Sequence, residues 1–154
     1  MKNDEYFMQR ALSEAEKSAK KNEIPVGAVL VAEDKILSRA HNETIARNDP
    51  TAHAEIVAIR KACRKRDNYR LPDCDLYITL EPCAMCLGAL VQARIRRLIY
   101  GALDPKAGAV ESIMNFPFEK TNHMMDIKGG VLAEECGKIL QDFFKDKRKQ
   151  AKRE

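Results

Sequence analysis

Apolar side chains return at Met8, Ala11, Leu12, Ala15 and Ala19. That is the i, i+3, i+4, i+7 spacing of an amphipathic helix, so a helix is expected over residues 5–21, with Pro25 marking its exit. The unbroken apolar run Val26-Gly27-Ala28-Val29-Leu30-Val31 reads as a strand covered on both faces, and Glu33-Asp34 as the turn into a second strand over 35–41. A polar stretch from Asn42 to Pro50 precedes a helix expected from about 52 to 66, with Ile56, Ile59, Ala62 and Cys63 along one face and His53 in its first turn. Leu71-Pro72-Asp73 breaks the chain before a third strand, 76–80, which runs straight into Glu81-Pro82-Cys83. A helix over 84–93 and a fourth strand over 98–102 follow. Residues 103–126 are irregular and polar-aromatic, the composition of a functional loop. A short fifth strand is expected at 127–131, weakened by Gly129-Gly130. The last helix, 133 to about 148, repeats Cys136, Ile139, Leu140, Phe143 and Phe144 at helical spacing. Strands alternating with helices call for right-handed crossovers and a three-layer α/β/α domain.

Size adds that the 154 residues suit one domain, 1–154, able to bury roughly 70% of the surface exposed when unfolded, so neither disulfides nor metal are needed for basic stability. No apolar stretch approaches the roughly 20 residues of a spanning helix, and Met1-Lys2-Asn3-Asp4-Glu5 lacks the apolar segment of a signal peptide. A cytoplasmic protein is expected. The five cysteines, an odd number, make a poor disulfide framework, and Cys63, Cys74 and Cys136 read as small buried hydrophobes. The net charge of +4 resides in residues 145–154, which hold six basic and two acidic side chains. Such a basic helix end suits a solvated surface or a polyanion partner.

Two short motifs carry the chemistry. Thr51-Ala52-His53-Ala54-Glu55 and Glu81-Pro82-Cys83-Ala84-Met85-Cys86 together offer one imidazole and two thiols, a ligand set suited to Zn²⁺. Three protein ligands leave a fourth tetrahedral position for water, whose pKa the metal lowers from 15.7 toward roughly 7 to 9. A closed structural site would need a fourth ligand such as His41, His123 or Cys74, and no second C-x-x-C or H-x-x-x-H supplies one. A C-x-x-C that opens a helix sets both sulfurs at its first turn, where free N–H groups stabilise thiolate. His53 and Glu55, two residues apart, would point apart within a regular helix and can serve one site only at a helix start. Two helix N-termini facing each other are therefore expected, with Glu55 placed to take a proton from the metal-bound water.

Nearly the whole chain resembles the bacterial tRNA-specific adenosine deaminases of the zinc-dependent cytidine/deoxycytidylate deaminase superfamily. The resemblance lies in Pro25 to Val31, Asp49 to Glu55, Asn68-Tyr69-Arg70-Leu71 and Tyr77 to Cys83. More discriminating are Tyr100 to Ala109, Ser112-Ile113-Met114, Asn122-His123, Gly130-Val131-Leu132 and Asp142-Phe143-Phe144. It implies a cytidine-deaminase-like fold with a mixed five-stranded sheet, and a homodimer that converts adenosine to inosine at the wobble position of an arginine tRNA anticodon. It implies His53, Cys83 and Cys86 as zinc ligands, Glu55 as proton shuttle, Asn42 as a contact to the extruded base, and Asp104 and Arg148 as contacts to the anticodon loop. The chain departs from the family pattern at Glu111, where a glycine is usual, and at Met124, where an arginine is usual. An anticodon-loop adenosine is already partly unstacked and cheap to extrude, which suits such a substrate. The rival readings are a deaminase of free bases or nucleosides, guanine above all, and a non-catalytic zinc module that binds RNA.

Overall fold

The computed structural model describes residues 1–153. Helix α1 (Asp4–Lys20) begins at Asn3, whose side chain accepts a hydrogen bond from the Tyr6 amide. Strands β1 (Gly27–Ala32) and β2 (Lys35–His41) form an antiparallel hairpin. Its turn residues Glu33 and Asp34 both take positive φ, as the tight two-residue hairpin turn demands. Then come α2 (Ala54–Arg66), β3 (Asp75–Leu80), α3 (Ala84–Ala93), β4 (Arg97–Ala102), β5 (Asp126–Lys128) and α4 (Ala133–Arg153). The five strands make one mixed sheet in the order β2-β1-β3-β4-β5, with β3, β4 and β5 parallel.

Strand alternation divides the core in two. Ala28, Leu30, Leu76, Ile78 and Leu98 face Val57, Ala58 and Ala62 of α2 and Leu87, Leu90 and Val91 of α3. Val29, Val31, Tyr77 and Ile99 face Phe7, Met8, Ala11 and Leu12 of α1, with Cys136 of α4 beside them. Helices thus cover both faces, the three layers expected, and explain why β1 is buried at every position.

Three boundaries depart from expectation. The inward stripe of α2 is Ala54, Ala58 and Ala62 with Val57, while Ile56, Ile59 and Cys63 are only half-buried. Three alanines at i, i+4, i+8 let that helix lie close to the sheet. Strand β5 stops at Lys128 and, as an edge strand, is exposed throughout; at Gly129, the next residue, a Cβ would stand 2.3 Å from the Tyr100 ring. Helix α4 continues to Arg153, since its last turns are built from Lys, Arg, Gln and Ala, strong helix formers that need no buried face. Among the described residues no helix is long and apolar enough to cross a membrane.

An ion-pair cluster ties α1 to the sheet. Asp4 accepts from Tyr77 Oη at 2.6 Å, Arg97 at 3.1 Å and Lys128 at 3.1 Å, and Arg97 also reaches Asp75 at 3.3 Å. Burial alone would raise the Asp4 pKa; the bonds from Arg97, Tyr77 and Lys128 outweigh it and hold it at about 2. A carboxyl depressed on folding stabilises the fold above its unfolded pKa, and that contribution fades as pH falls from about 4 toward 2. Asp4→Asn should lower stability at pH 7 by about 1–3 kcal/mol and flatten the acid limb of stability against pH, measured by urea titration at a series of pH values. Equal acid limbs in parent and variant would show that the cluster does not bear on folding.

Candidate metal centre and substrate cleft

The site is assembled at two helix starts. Asp49 Oδ1 accepts from the Thr51 amide at 2.9 Å and its hydroxyl at 2.7 Å, and Glu43 N–H donates to the Ala52 carbonyl at 3.0 Å. This closes the loop after β2 and delivers His53 as the N-cap of α2, with extended backbone (φ −68°, ψ 155°), one position before the first helical turn. Cys83 (φ −80°, ψ 172°), following Pro82, is the N-cap of α3 in the same extended conformation. The His53 side chain makes no cap bond to its own helix, and the Cys83 sulfur meets its helix at Cys86. Both turn toward each other, the opposed helix starts expected from the spacing of His53 and Glu55.

His53 Nδ1 lies 3.7 Å from Cys83 Sγ and 3.5 Å from Cys86 Sγ, and the three atoms fall within 4.8 Å of one another. Tetrahedral Zn²⁺ with bonds of about 2.3 Å to sulfur and 2.05 Å to nitrogen would set S and N roughly 3.6 Å apart, so the residues present fit that ion. No fourth His, Cys, Asp or Glu joins them among the described residues. The three alternatives are engaged elsewhere: His41 Nδ1 on the Asn42 carbonyl at 3.1 Å, His123 Nε2 on the Ile95 carbonyl at 2.7 Å, and Cys74 buried beside Asp73. The Cys83 thiol is held at about 4 by hydrogen bonds from Cys86 and His53, while the bond to Cys83 and burial push Cys86 up. His53 is raised by Cys83. A dication would take both sulfurs as thiolates and the imidazole as neutral.

The triad opens into a cleft of about 550 Å³ lined by His53, Cys83, Glu55, Asn42, Asp104 and Arg148 among others. All the expected site residues thus gather at one place, with Cys86 buried beneath the floor. Glu55 is 4% exposed, and burial pushes its carboxyl up to about 7. Asn42 does not cap a turn: its backbone carbonyl accepts from Ser18 Oγ at 3.3 Å and its amide N–H donates to Val26 at 3.0 Å. Its side chain, buried in the cleft wall, makes no hydrogen bond among the described residues and remains available to a ligand. Asp104 is partly committed, with Oδ1 accepting from the Lys106 and Ala107 amides at 3.0 and 3.3 Å. Arg148 reaches the cleft from the exposed half of α4, beside Phe144, whose ring has Lys106 Nζ 5.8 Å from its centre.

Two buried acids were not singled out from sequence. Glu23 accepts from the Ile45 and Ala46 amides at 3.1 and 2.8 Å, shaping the loop after Asn42. Glu81 does the same for the loop after β4. Of the two departures from the family pattern, Glu111 accepts from Tyr100 Oη at 2.8 Å, and Met124 is exposed.

The family model for the cytidine and deoxycytidylate deaminase zinc-binding region matches residues 1–102. A tRNA-specific adenosine deaminase of Agrobacterium fabrum is 49% identical over 144 residues, 93% of this chain and 95% of that protein. A solved structure described under A-to-I editing by tRNA:A34 deaminases at the wobble position of transfer RNA superposes with a TM-score of 0.84 at 49% identity. That match covers 88% of this chain and 99% of the other. A guanine deaminase structure from Bacillus subtilis gives a TM-score of 0.65 at 41% identity, covering 77% of this chain and 74% of the other. Near-complete coverage by the first two relatives, over a sheet and helices of the same arrangement, decides between them: the chain belongs to the family of tRNA-specific adenosine deaminases, hydrolytic deaminases built on the cytidine and deoxycytidylate deaminase zinc-binding region.

Proposed function

We propose that the chain hydrolyses adenosine to inosine at the wobble position of an arginine tRNA anticodon, with Zn²⁺ held by His53, Cys83 and Cys86. The observation that carries this reading is the cleft itself, where an unpartnered Asn42 amide and the buried Glu55 stand beside the three-ligand cluster while Arg148 lines the same opening. The bound ion supplies Lewis acidity that makes a water molecule acidic enough to attack near neutral pH. Asn42 holds the extruded base by its polar edge. Glu55 takes the proton released by the attacking water, delivers it to ring N1 as the oxygen adds at C6, then takes the remaining proton of that C6 hydroxyl and gives it to the amine as the C6–N bond breaks and the C6 carbonyl forms. One water is consumed and one ammonia released. Leu80, Ala102, Leu103 and Leu140 give the cleft an apolar wall against which the base packs.

Treating an unmodified arginine tRNA transcript with the purified protein, then sequencing it, should show the wobble adenosine read as G. An adenosine that survives while zinc is bound removes the assignment. The 41% identity to a guanine deaminase favours one competing substrate. Incubation with guanine, cytidine and free adenosine should release little ammonia; brisk turnover of any of them defeats the tRNA reading.

Backbone phosphates are bound by the basic end of α4 and by Arg148, so tRNA affinity should fall steeply with salt. Arg148→Ala should reduce the slope of log K against log[salt] by about 0.7 to 0.9, the share of one phosphate, in filter binding at several salt concentrations. An unchanged slope takes Arg148 off the RNA. The working unit is a homodimer, which light scattering of the purified protein checks, and its tRNA substrate sets it in the cytoplasm.

A further inference from the structure

One carboxylate links the metal centre to the far wall of the cleft. Glu81 leaves the end of β3 two residues before Cys83, is 2% exposed, and takes part in no ion pair among the described residues. A bare buried carboxylate is costly, yet this one is surrounded by donors from a single loop. It accepts from the amides of Asp104 at 3.0 Å, Val110 at 3.0 Å, Glu111 at 2.8 Å and Ser112 at 3.0 Å, and from the Ser112 hydroxyl. Successive backbone N–H groups converging on one anion make a nest, and here the anion belongs to the protein itself. Pro82, the next residue, accepts from the Ala109 amide at 2.9 Å. The fit leaves no slack: a Cβ at Gly108 would stand 2.3 Å from the Glu81 carboxyl carbon. The three residues Glu81-Pro82-Cys83 therefore place a metal ligand with one side chain and grip residues 104–112 with their neighbours.

We infer that Glu81 is a positioning residue that sets the span between the metal triad and the substrate-facing wall of residues 103–107, acting through the loop that it holds. Glu81 borders the same cleft, but its carboxylate oxygens are taken up by the donors of the loop, so its effect on a substrate passes through that loop. The consequence for catalysis rests on the proposed tRNA substrate, whereas the grip on the loop does not. Reading a polynucleotide in a cleft demands that the wall bearing Asp104 and Lys106 stand at a fixed distance from the metal triad, because contacts to the bound nucleic acid form only where that wall is held, and losing them weakens binding more than it slows the chemical step.

The test uses the zinc-loaded protein with Glu81→Gln, Gly108→Ala and Ser112→Ala. Gly108→Ala crowds the carboxylate from the loop side without altering the segment that bears Cys83, and Ser112→Ala removes only one donor. Amide exchange within 104–112 should quicken by about 10-fold or more in Glu81→Gln and Gly108→Ala, and less in Ser112→Ala, while exchange in α2 and β3 stays as in the parent. On the tRNA transcript, KM should rise by about 10-fold with kcat within about three-fold and zinc content unchanged. If Glu81→Gln does not fold, Gly108→Ala carries both measurements. Unchanged exchange in 104–112, or a fall in kcat or zinc content with KM unmoved in Gly108→Ala, overturns the inference. Failure of the parent itself to deaminate the transcript would sink the proposed substrate and leave the exchange measurement to decide on the grip.

Discussion

Glu55→Gln should lower kcat on tRNA by about 10³-fold or more, within or beyond the 10² to 10⁴ that a positioned acid-base group supplies, and leave zinc content and tRNA affinity in place. Glutamine has the shape of glutamate and can fill the same buried position in the first turn of α2, 4% exposed, so the packing of the helix is preserved. What it loses is the ability to take up a proton and give it back. The surroundings of Glu55 suit that exchange, because burial has pushed its carboxyl up to about 7, where protonated and ionised forms are both accessible at neutral pH. A carboxylate in the first turn of a helix is often no more than a partner for the helix dipole, a role that lives on the surface and is worth about 0.3–1 kcal/mol. Single-turnover rates with saturating enzyme separate the two. A loss of less than ten-fold would assign Glu55 to the helix and move the proton transfers elsewhere.

How much of this was legible in the residues follows from the range over which each interaction acts. The clustering of His53, Cys83 and Cys86, and the place of Glu55 beside them, could be read because each sits within a few residues of a helix start, so local spacing fixes its direction. Only the helix boundary slipped, with His53 becoming the N-cap of α2 instead of a first-turn residue. Strand β1 could be read because six consecutive buried residues require cover on both faces. Strand β5 could not be bounded, since its three exposed residues carry no alternation and the glycine after it packs against Tyr100, nearly thirty residues away in sequence. Glu23 and Glu81 escaped for a similar reason. Their partners are main-chain amides 22 to 31 positions distant, and an amide has no side-chain identity for a pattern to register. In the middle stand Asn42, Asp104 and Arg148, far apart in sequence and suggested by resemblance alone, which the fold brings to one cleft.

Removing the metal should abolish activity and leave the fold. Cys86→Ser keeps nearly the volume of a side chain that is fully buried but replaces a soft thiolate by a hydroxyl, so zinc content should fall well below one per chain and kcat by at least about 10³-fold. The same loss should follow a strong chelator and be reversed by added Zn²⁺. Small domains folded by a structural zinc lose their secondary structure when it is withdrawn. Here the two layers of core on either side of the sheet are assembled from Leu, Ile, Val and Ala of every large element, and the three ligands lie at one end of α2 and α3, outside both. Far-UV circular dichroism should therefore be unchanged on chelation, and stability should fall only by the linkage to a bound ion, about 4 kcal/mol at a thousand-fold excess over Kd, with a matching drop in the midpoint of thermal unfolding. A chelated chain that unfolds at room temperature would mean that the ion holds the fold together. The open coordination position, on which both the role of Glu55 and the choice of a hydrolytic reaction depend, would then lose its main physical support.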